Sequence, residues 1–235
     1  MNASQPQQLL LGFRLDDSAT LENFTPAASD EQLVRHLREQ AIQRGDCFTY
    51  LWGRPGTGKT HLLQALCNEL AGGGASPIYL PLSRSDQLAP AMLDGLEHLD
   101  LICLDELESI AGQEEWERAL FNFYNRAREQ QARFVVAAAT PPGTLPVQLP
   151  DLRSRLQSAM VYQLHELSDR EKGGLLRHRA AELGIRLPEP VVNYVLDRHD
   201  RNPAALMALL RTLDRQSLER KRRITIPLVR EIMGW

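Results

Sequence analysis

Short apolar runs alternate with amphipathic segments from residue 21 to about residue 166. Apolar runs bounded by turn residues are typical of strands buried on both faces of a sheet, and apolar residues spaced three or four apart predict helices. Because strands alternate with helices, the chain predicts an α/β fold with a parallel sheet between helices. Ser29 or Asp30 is expected to cap the first helix. The predicted strands are 47–52, 77–82, 101–104, 134–139 and 160–164, and the predicted helices are 30–44, 61–70, 83–96, 113–131 and 150–156.

The pattern becomes purely helical after residue 167. Ser168 and Glu171 have the spacing of a capping box, and Gly184 ends the helix that they begin. Three more helices are predicted at 188–199, 203–220 and 227–233. The chain therefore divides into a flexible tail (1–20), an α/β domain (21–166) and a small all-helical subdomain (167–235).

The predicted strand 47–52 leads directly into Gly53–Thr60, which fits the pattern G-x-x-x-x-G-K-[ST], and a predicted helix follows. In this context glycines let backbone N–H groups curl around a phosphate, and the helix N-terminus favours negative charge. The Lys59 ammonium would reach the β- and γ-phosphates, and the Thr60 hydroxyl would hold Mg²⁺. A chance glycine-rich turn is the alternative, but the flanking strand and helix favour a nucleotide-binding loop. Its predicted nucleotide-binding residues are Gly53, Pro55, Gly56, Thr57, Gly58, Lys59 and Thr60.

Two carboxylates, Asp105 and Glu106, end the apolar run 101–104. Alone, this pattern is weak evidence, because acidic residues that cap a helix explain it equally well. Downstream of a P-loop, it favours a catalytic role for both residues. Asp105 would join Thr60 in holding Mg²⁺, and Glu106 would orient or deprotonate a water molecule.

The otherwise polar N-terminal tail contains one apolar island, Gln8–Phe13. A glutamine followed by leucines and an aromatic residue is typical of a short linear motif that docks in an apolar groove of a partner. The alternative is that these residues fold back on their own domain as a strand or plug. The spacing alone does not separate the two.

Composition excludes several classes of protein. The chain has 235 residues, of which 43% are hydrophobic, and a formal net charge of −3. No apolar run approaches the roughly 20 residues of a membrane-spanning helix, and the N-terminus lacks the positive start of a secretory signal. Since no global positive field attracts nucleic acid, any contact with DNA is expected to come through a partner.

Cysteine and histidine usage predicts a reduced compartment and no metal ligated by the protein alone. Cys47, Cys67 and Cys103 lie far apart in apolar segments, as buried thiols of a cytoplasmic protein would. The histidines form no metal-binding pattern. The basic run Arg220–Arg223 is interpreted as a solvated helix end, with a contact to a partner or DNA as the alternative.

A P-loop α/β domain followed by a helical lid resembles the AAA+ ATPases. Finer motifs are similar to those of DnaA, the bacterial replication initiator, and its relatives, over residues 21–235 but without the initiator's DNA-binding helix-turn-helix domain. Within that group the chain looks most like the Hda family, whose members inactivate DnaA. The resemblance is carried by Leu21–Phe24, Gly58–Leu63, Leu149–Leu156, Ile224–Ile232 and the tail motif Gln8–Phe13.

The resemblance assigns roles to individual residues. Lys59 and Thr60 match the Walker A positions, and Asp105 and Glu106 match the Walker B pair. Arg155 matches the arginine finger, a guanidinium that stabilises charge on the γ-phosphate of a nucleotide held by a neighbouring subunit. These matches imply that Asp105, Glu106 and Arg155 are the catalytic residues.

The resemblance also implies ligands and partners. The cofactor would be ADP or ATP with Mg²⁺, with Phe24 and His61 also in the nucleotide site. The tail would bind the DNA sliding clamp, the polymerase beta subunit, which strengthens the docking interpretation of the tail. The clamp-bound protein would make DnaA hydrolyse its ATP, so that initiation is not repeated, and would meet DNA only through the clamp. The clamp-binding residues would be Gln8, Leu9, Leu11 and Phe13.

Two positions depart from the family pattern. The polar sensor that follows the strand 134–138 falls at Ala139 or is displaced to Thr140, and the sensor arginine of the lid falls near Ala204, with Arg201 and Arg211 only as neighbours. Both sensors touch the γ-phosphate in the family. Their loss predicts weak or no intrinsic ATPase activity and a role exerted mainly through Arg155.

Two other functions fit the same motifs. A helicase loader of the DnaC type, or a DNA-remodelling ATPase, would explain the intact Asp105 and Glu106. A non-enzymatic adaptor would use its nucleotide, ADP, only to order the lid. The residues do not fix the oligomeric state, and a homodimer is compatible with them.

Overall fold

The computed structural model describes residues 15–42 and 48–235, with only the backbone described at 40–42. The predicted clamp-binding residues and Cys47 therefore lie outside the described residues. The predictions made for them remain predictions from sequence.

The described residues form one sheet of five parallel strands in the order β2-β3-β4-β1-β5. All the strands run in the same direction, so the loops after β1, β3 and β4 meet at one edge of the sheet. The strands are β1 (Phe48–Trp52), β2 (Pro77–Pro81), β3 (Leu101–Asp105), β4 (Phe134–Ala138) and β5 (Met160–Gln163).

The α/β prediction, with its parallel sheet and helical lid, is confirmed. The predicted helices 30–44, 61–70, 113–131 and 150–156 correspond to four helices of the α/β part, and the lid contributes four more. Their bounds are α1 (Glu31–Ile42), α2 (Lys59–Gly72), α3 (Glu114–Glu129), α4 (Pro150–Gln157), α5 (Asp169–Glu182), α6 (Glu189–Arg198), α7 (Pro203–Arg220) and α8 (Ile226–Met233).

Alternation along the strands divides the apolar residues between two cores. In β3, Ile102 and Leu104 pack on the side of α3 and α4, whereas Leu101 and Cys103 pack on the side of α1 and α2. This is why the strand sequences read as continuous apolar runs. The sheet therefore separates the P-loop helix α2 from α4.

The helix predicted at 83–96 is wrong. This segment forms three short 3₁₀ turns instead, at Leu82–Arg84, Pro90–Leu93 and Leu96–His98. Pro90 has no N–H to donate to a helix. Gly95 adopts φ 84°, a left-handed conformation that ends any helix reaching it.

The predicted cap at Ser29 or Asp30 is also wrong. Among the described residues, neither side chain accepts a hydrogen bond from the first turn of α1. Asp30 is buried, and its carboxylate accepts from the backbone N–H of His165 at 2.7 Å and lies 2.6 Å from His165 Nδ1. The Ser29 hydroxyl donates to Asp30 Oδ1 at 2.9 Å. Asp30 therefore connects the start of α1 to the linker that leads into the lid.

The lid begins as predicted. The Ser168 hydroxyl accepts from the Glu171 backbone N–H, and the Glu171 carboxylate accepts from that of Ser168, so the capping box is confirmed. Farther on, Arg220 and Arg222 both donate to Glu231, so two members of the predicted basic run hold α8 against the end of α7.

The described N-terminal segment, 15–30, crosses from the P-loop helix to the lid. The Asn68 side chain, on α2, donates to the carbonyls of Asp16 and Ala19. On the lid side, Arg179 donates to the Asn23 carbonyl at 2.8 Å. Residues 15–20, assigned to the tail by sequence, thus lie against α2. No helix in the described part of the chain is both long and apolar enough to cross a membrane.

Candidate functional site

The loop between β1 and α2 turns sharply around two glycines. Gly56 and Gly58 adopt φ 85° and 96°, left-handed conformations in which a Cβ is strained. The Thr57 hydroxyl donates to the Arg54 carbonyl at 2.9 Å and closes the loop. The helix begins at Lys59, two residues before the start predicted from the sequence.

The Lys59 ammonium points back into this loop. It donates to the carbonyls of Gly53 at 2.6 Å and Arg54 at 3.2 Å, and the residue is only 9% exposed. Burial lowers the pKa of Lys59, while the charges of Asp105 and Glu108 oppose that shift. The loop thus holds one oriented, poorly solvated cation, which is the group a phosphate requires.

Across the sheet edge, β3 places Asp105 against the start of α2. Its Oδ2 accepts from the Thr60 hydroxyl at 2.6 Å and from the Tyr79 hydroxyl at 2.9 Å. Burial raises the pKa of the Asp105 carboxyl, and the two hydroxyl donors oppose that rise. Burial also raises the pKa of Tyr79, which stays a neutral donor. Tyr79 was not among the residues predicted from the sequence, although its position in a predicted strand was a usable signal.

The donor set of Thr60 and Asp105 fits Mg²⁺. A hydroxyl oxygen and a carboxylate oxygen within hydrogen-bond distance are hard ligands of the kind that Mg²⁺ takes from a protein when it also binds nucleotide phosphates. Thr60 and Asp105 would hold the ion, which would supply charge neutralisation to those phosphates. The neighbouring Glu106 has a left-handed φ of 59° and is half-buried beside Asp105.

The side chain of a third acidic residue, Glu108, which follows β3 in sequence, reaches the end of β4. Its Oε2 accepts from the Ala139 backbone N–H at 3.1 Å, and the Tyr50 hydroxyl donates to the Thr140 carbonyl at 3.0 Å. The Thr140 residue itself is exposed. Ala139, the position that the sequence resemblance assigns to a polar sensor, thus has its backbone N–H bound by Glu108. Glu108 was not among the residues predicted from the sequence.

Phe24 and His61 meet at the P-loop. Their ring centroids lie 5.7 Å apart, and a Cβ on Gly58 would lie 2.7 Å from Phe24 Cε2. His61 Nε2 lies 3.2 Å from the Thr20 carbonyl oxygen, and burial lowers the pKa of the ring. The structure therefore brings both predicted residues to one side of the loop.

The lid meets the P-loop through Asn202, another residue missed from sequence. A Cβ on Gly56 would lie 2.9 Å from Asn202 Nδ2, while Asn202 Oδ1 accepts from the Ala204 backbone N–H and caps α7. Ala204 offers no polar side chain. Arg201 is held by the Leu196 carbonyl and by Asp169, and Arg211 is exposed on α7.

Arg155 lies apart from these groups. It is exposed on α4, with its guanidinium carbon 5.5 Å from the centre of the Tyr124 ring. Within the described residues it forms no ion pair, and Asp151 on the same helix is therefore not its partner. Arg153, its neighbour on α4, instead donates to the Val147 carbonyl.

Comparison with known proteins agrees with this architecture. Domain III of the Thermotoga maritima replication initiator DnaA superposes with a TM-score of 0.81 at 21% identity, covering 94% of this chain and 98% of that one. DnaA from Aquifex aeolicus bound to AMPPCP gives 0.70 at 24% identity, covering 89% and 70%. The Thermotoga maritima Holliday junction branch migration motor RuvB gives 0.64 at 17% identity, covering 90% and 72%. These likenesses establish a shared fold.

Family models identify the chain itself. Residues 49–164 match the ATPase family associated with various cellular activities (AAA), and together with the fold and the P-loop this makes the protein an AAA+ protein. Residues 169–233 match the lid domain of Hda. The chain is therefore an AAA+ protein with a lid of the Hda type.

Proposed function

We propose that this protein binds ADP or ATP with Mg²⁺ at Gly53–Thr60 and, docked on the sliding clamp, stimulates hydrolysis of the ATP held by DnaA. The oriented ammonium of Lys59 and the Thr60–Asp105 pair support nucleotide binding. The Aquifex aeolicus DnaA of the same fold is an AMPPCP complex, which supports an adenine nucleotide. The biological result would be that replication is not initiated again while the regulator is active.

The observation that carries the proposal is the exposed guanidinium of Arg155. Leu152 and Leu156 anchor α4 in the core on the side of the sheet opposite α2, so the helix position is fixed while Arg155 faces outward. A planar, permanently charged guanidinium is suited to neutralise charge developing on a phosphate that another subunit presents. A role toward the protein's own nucleotide would instead require Arg155 near Lys59.

The protein's own turnover is expected to be weak or absent. Ala139 and Ala204 place no polar side chain at the two sensor positions, and the carboxylate at Ala139 comes from Glu108. Asp105 and Glu106 still complete the Mg²⁺ side of the site. The nucleotide would therefore mainly order the lid on the P-loop.

The test is the rate of DnaA-bound ATP hydrolysis with DNA-loaded clamp and either wild-type protein or an Arg155→Ala variant. An arginine finger is worth about 10³- to 10⁵-fold in rate, so Arg155→Ala should lose nearly all stimulation. Arg155→Lys keeps the charge but loses the forked donors and should recover only part. Both variants should bind ADP and clamp normally.

Arg153→Ala is the matched control on the same helix, because the Arg153 guanidinium donates a hydrogen bond to the Val147 carbonyl. It should lower stimulation less than Arg155→Ala does. Full stimulation by Arg155→Ala, or equal losses in the two alanine variants, would refute the finger assignment.

The intact Thr60–Asp105 arrangement also favours a second candidate, a helicase loader of the DnaC type or a DNA-remodelling ATPase. Such a protein would hydrolyse ATP by itself and faster with DNA. ATP turnover measured with DNA but without DnaA separates the two functions, since the regulator should show no DNA-stimulated rate.

A further inference from the structure

A cavity of about 270 Å³ separates the P-loop from the lid. Pro55 and Gly56 form its P-loop wall, and Asn202 approaches Gly56 from the lid. The rest of the lining comes from the linker, the first lid helix, and the start of the third lid helix with the loop before it. It includes the charged residues Glu166, Lys172, Asp200 and Arg201. A nucleotide in the P-loop would lie next to this cavity.

Three of the four charged lining residues have partners. Glu166 pairs with Arg54 at 3.6 Å, and Asp200 Oδ1 accepts from the Asn202 backbone N–H at 2.9 Å. The guanidinium of Arg201 donates to Asp169 at 2.7 Å. These contacts fix the charges in place and neutralise most of them.

Lys172 differs from the other three. It lies on α5 immediately after the capping box and is half-buried, and its ammonium has no hydrogen bond or ion pair to any described residue. An ammonium without a counter-charge at the wall of a cavity is a group to which an anion in that cavity would form a charge-assisted hydrogen bond. The cavity that Lys172 shares with the P-loop is where the phosphates of a nucleotide would supply that anion.

We propose that Lys172 is the lid's cation for the bound nucleotide and contacts its phosphates, in place of the arginine that position 204 lacks. The inference rests on nucleotide binding as proposed above. It moves the charged lid contact from the start of α7 to the first turn of α5. Asn202 contributes by seating the lid on Gly56.

The experiment compares ADP and ATP dissociation constants of wild type, Lys172→Met and Lys172→Arg, together with each melting temperature without nucleotide. Methionine keeps the apolar stem and removes the charge. One charge-assisted hydrogen bond corresponds to a loss of about tenfold to a hundredfold in affinity for Lys172→Met. Lys172→Arg should stay near the wild-type affinity.

Arg177→Met is the control, since it removes a positive charge from an exposed position of the same helix outside the cavity lining. It should leave both constants unchanged. Wild-type affinity in Lys172→Met, or an equal loss in Arg177→Met, would overturn the assignment of Lys172 while nucleotide binding stood. If wild type binds neither nucleotide, the proposed function itself fails, and this inference with it.

Discussion

Replacing Lys59 with methionine should separate nucleotide binding from folding. The ammonium is nearly buried and is aimed by the carbonyls of Gly53 and Arg54, so it meets a phosphate with little loss of freedom. Methionine fills a similar volume without the charge. The nucleotide-free variant should therefore fold, while its affinity for ADP should fall strongly.

The expected change in melting temperature follows from the linkage between ligand binding and folding. At a ligand concentration a hundredfold above Kd, binding stabilises the native state by about 2.7 kcal/mol. For a chain of this size that corresponds to a rise in melting temperature of about 5–11 °C. Loss of the Lys59 contact weakens binding by about a hundredfold, which leaves about 0.4 kcal/mol at the same ADP concentration. The rise should then shrink to about 1–2 °C.

The assay is thermal unfolding of wild type and Lys59→Met with and without ADP, checked by calorimetric titration. Arg54→Ala is the control, because this neighbouring cation is exposed and its side chain faces Glu166 rather than the loop interior. It should keep most of the ADP-induced shift. If Lys59→Met shows the full wild-type shift, the ammonium does not bind the phosphate and the reasoning fails.

Two further predictions concern the tail and His61. A variant in which Gln8, Leu11 and Phe13 are all replaced by alanine should no longer bind the clamp, while its ADP binding and melting temperature stay unchanged. If the tail instead packs on its own domain, the same variant should melt several degrees lower, at roughly 2–4 °C for each kcal/mol of stability lost. Since burial lowers the pKa of His61, the unfolded ring binds protons first as pH falls below about 6.5. The His61 contribution to stability is therefore present above that pH and is lost as pH falls through the lower folded pKa. Denaturant unfolding at several pH values should show a shallower decline for His61→Gln than for wild type, and identical slopes would contradict this role for the ring.

Local patterns in the sequence determined most of the fold and the centre of the site. The apolar run 101–104, the glycine spacing of the P-loop and the Ser168–Glu171 capping box each act over a few residues, and each is found where it was predicted. The structures that these patterns form depend on backbone sterics and on the burial of apolar side chains, and residues close in sequence specify both. The pairing of Thr60 with Asp105 also followed, because parallel strands bring their carboxyl ends to one edge of the sheet.

Contacts between distant segments were decided only by the tertiary structure. Aspartate is a residue type that often caps helices, yet Asp30 binds His165 instead. The linker to the lid passes beside Asp30, and a buried carboxylate accepts hydrogen bonds from the donors that lie next to it. Glu108 reaches Ala139, and Lys172 reaches the cavity beside Gly56, only because the chain folds those elements together. A one-dimensional pattern records which groups a residue carries, but the partners of a buried polar group are set by whatever the fold places within hydrogen-bond distance.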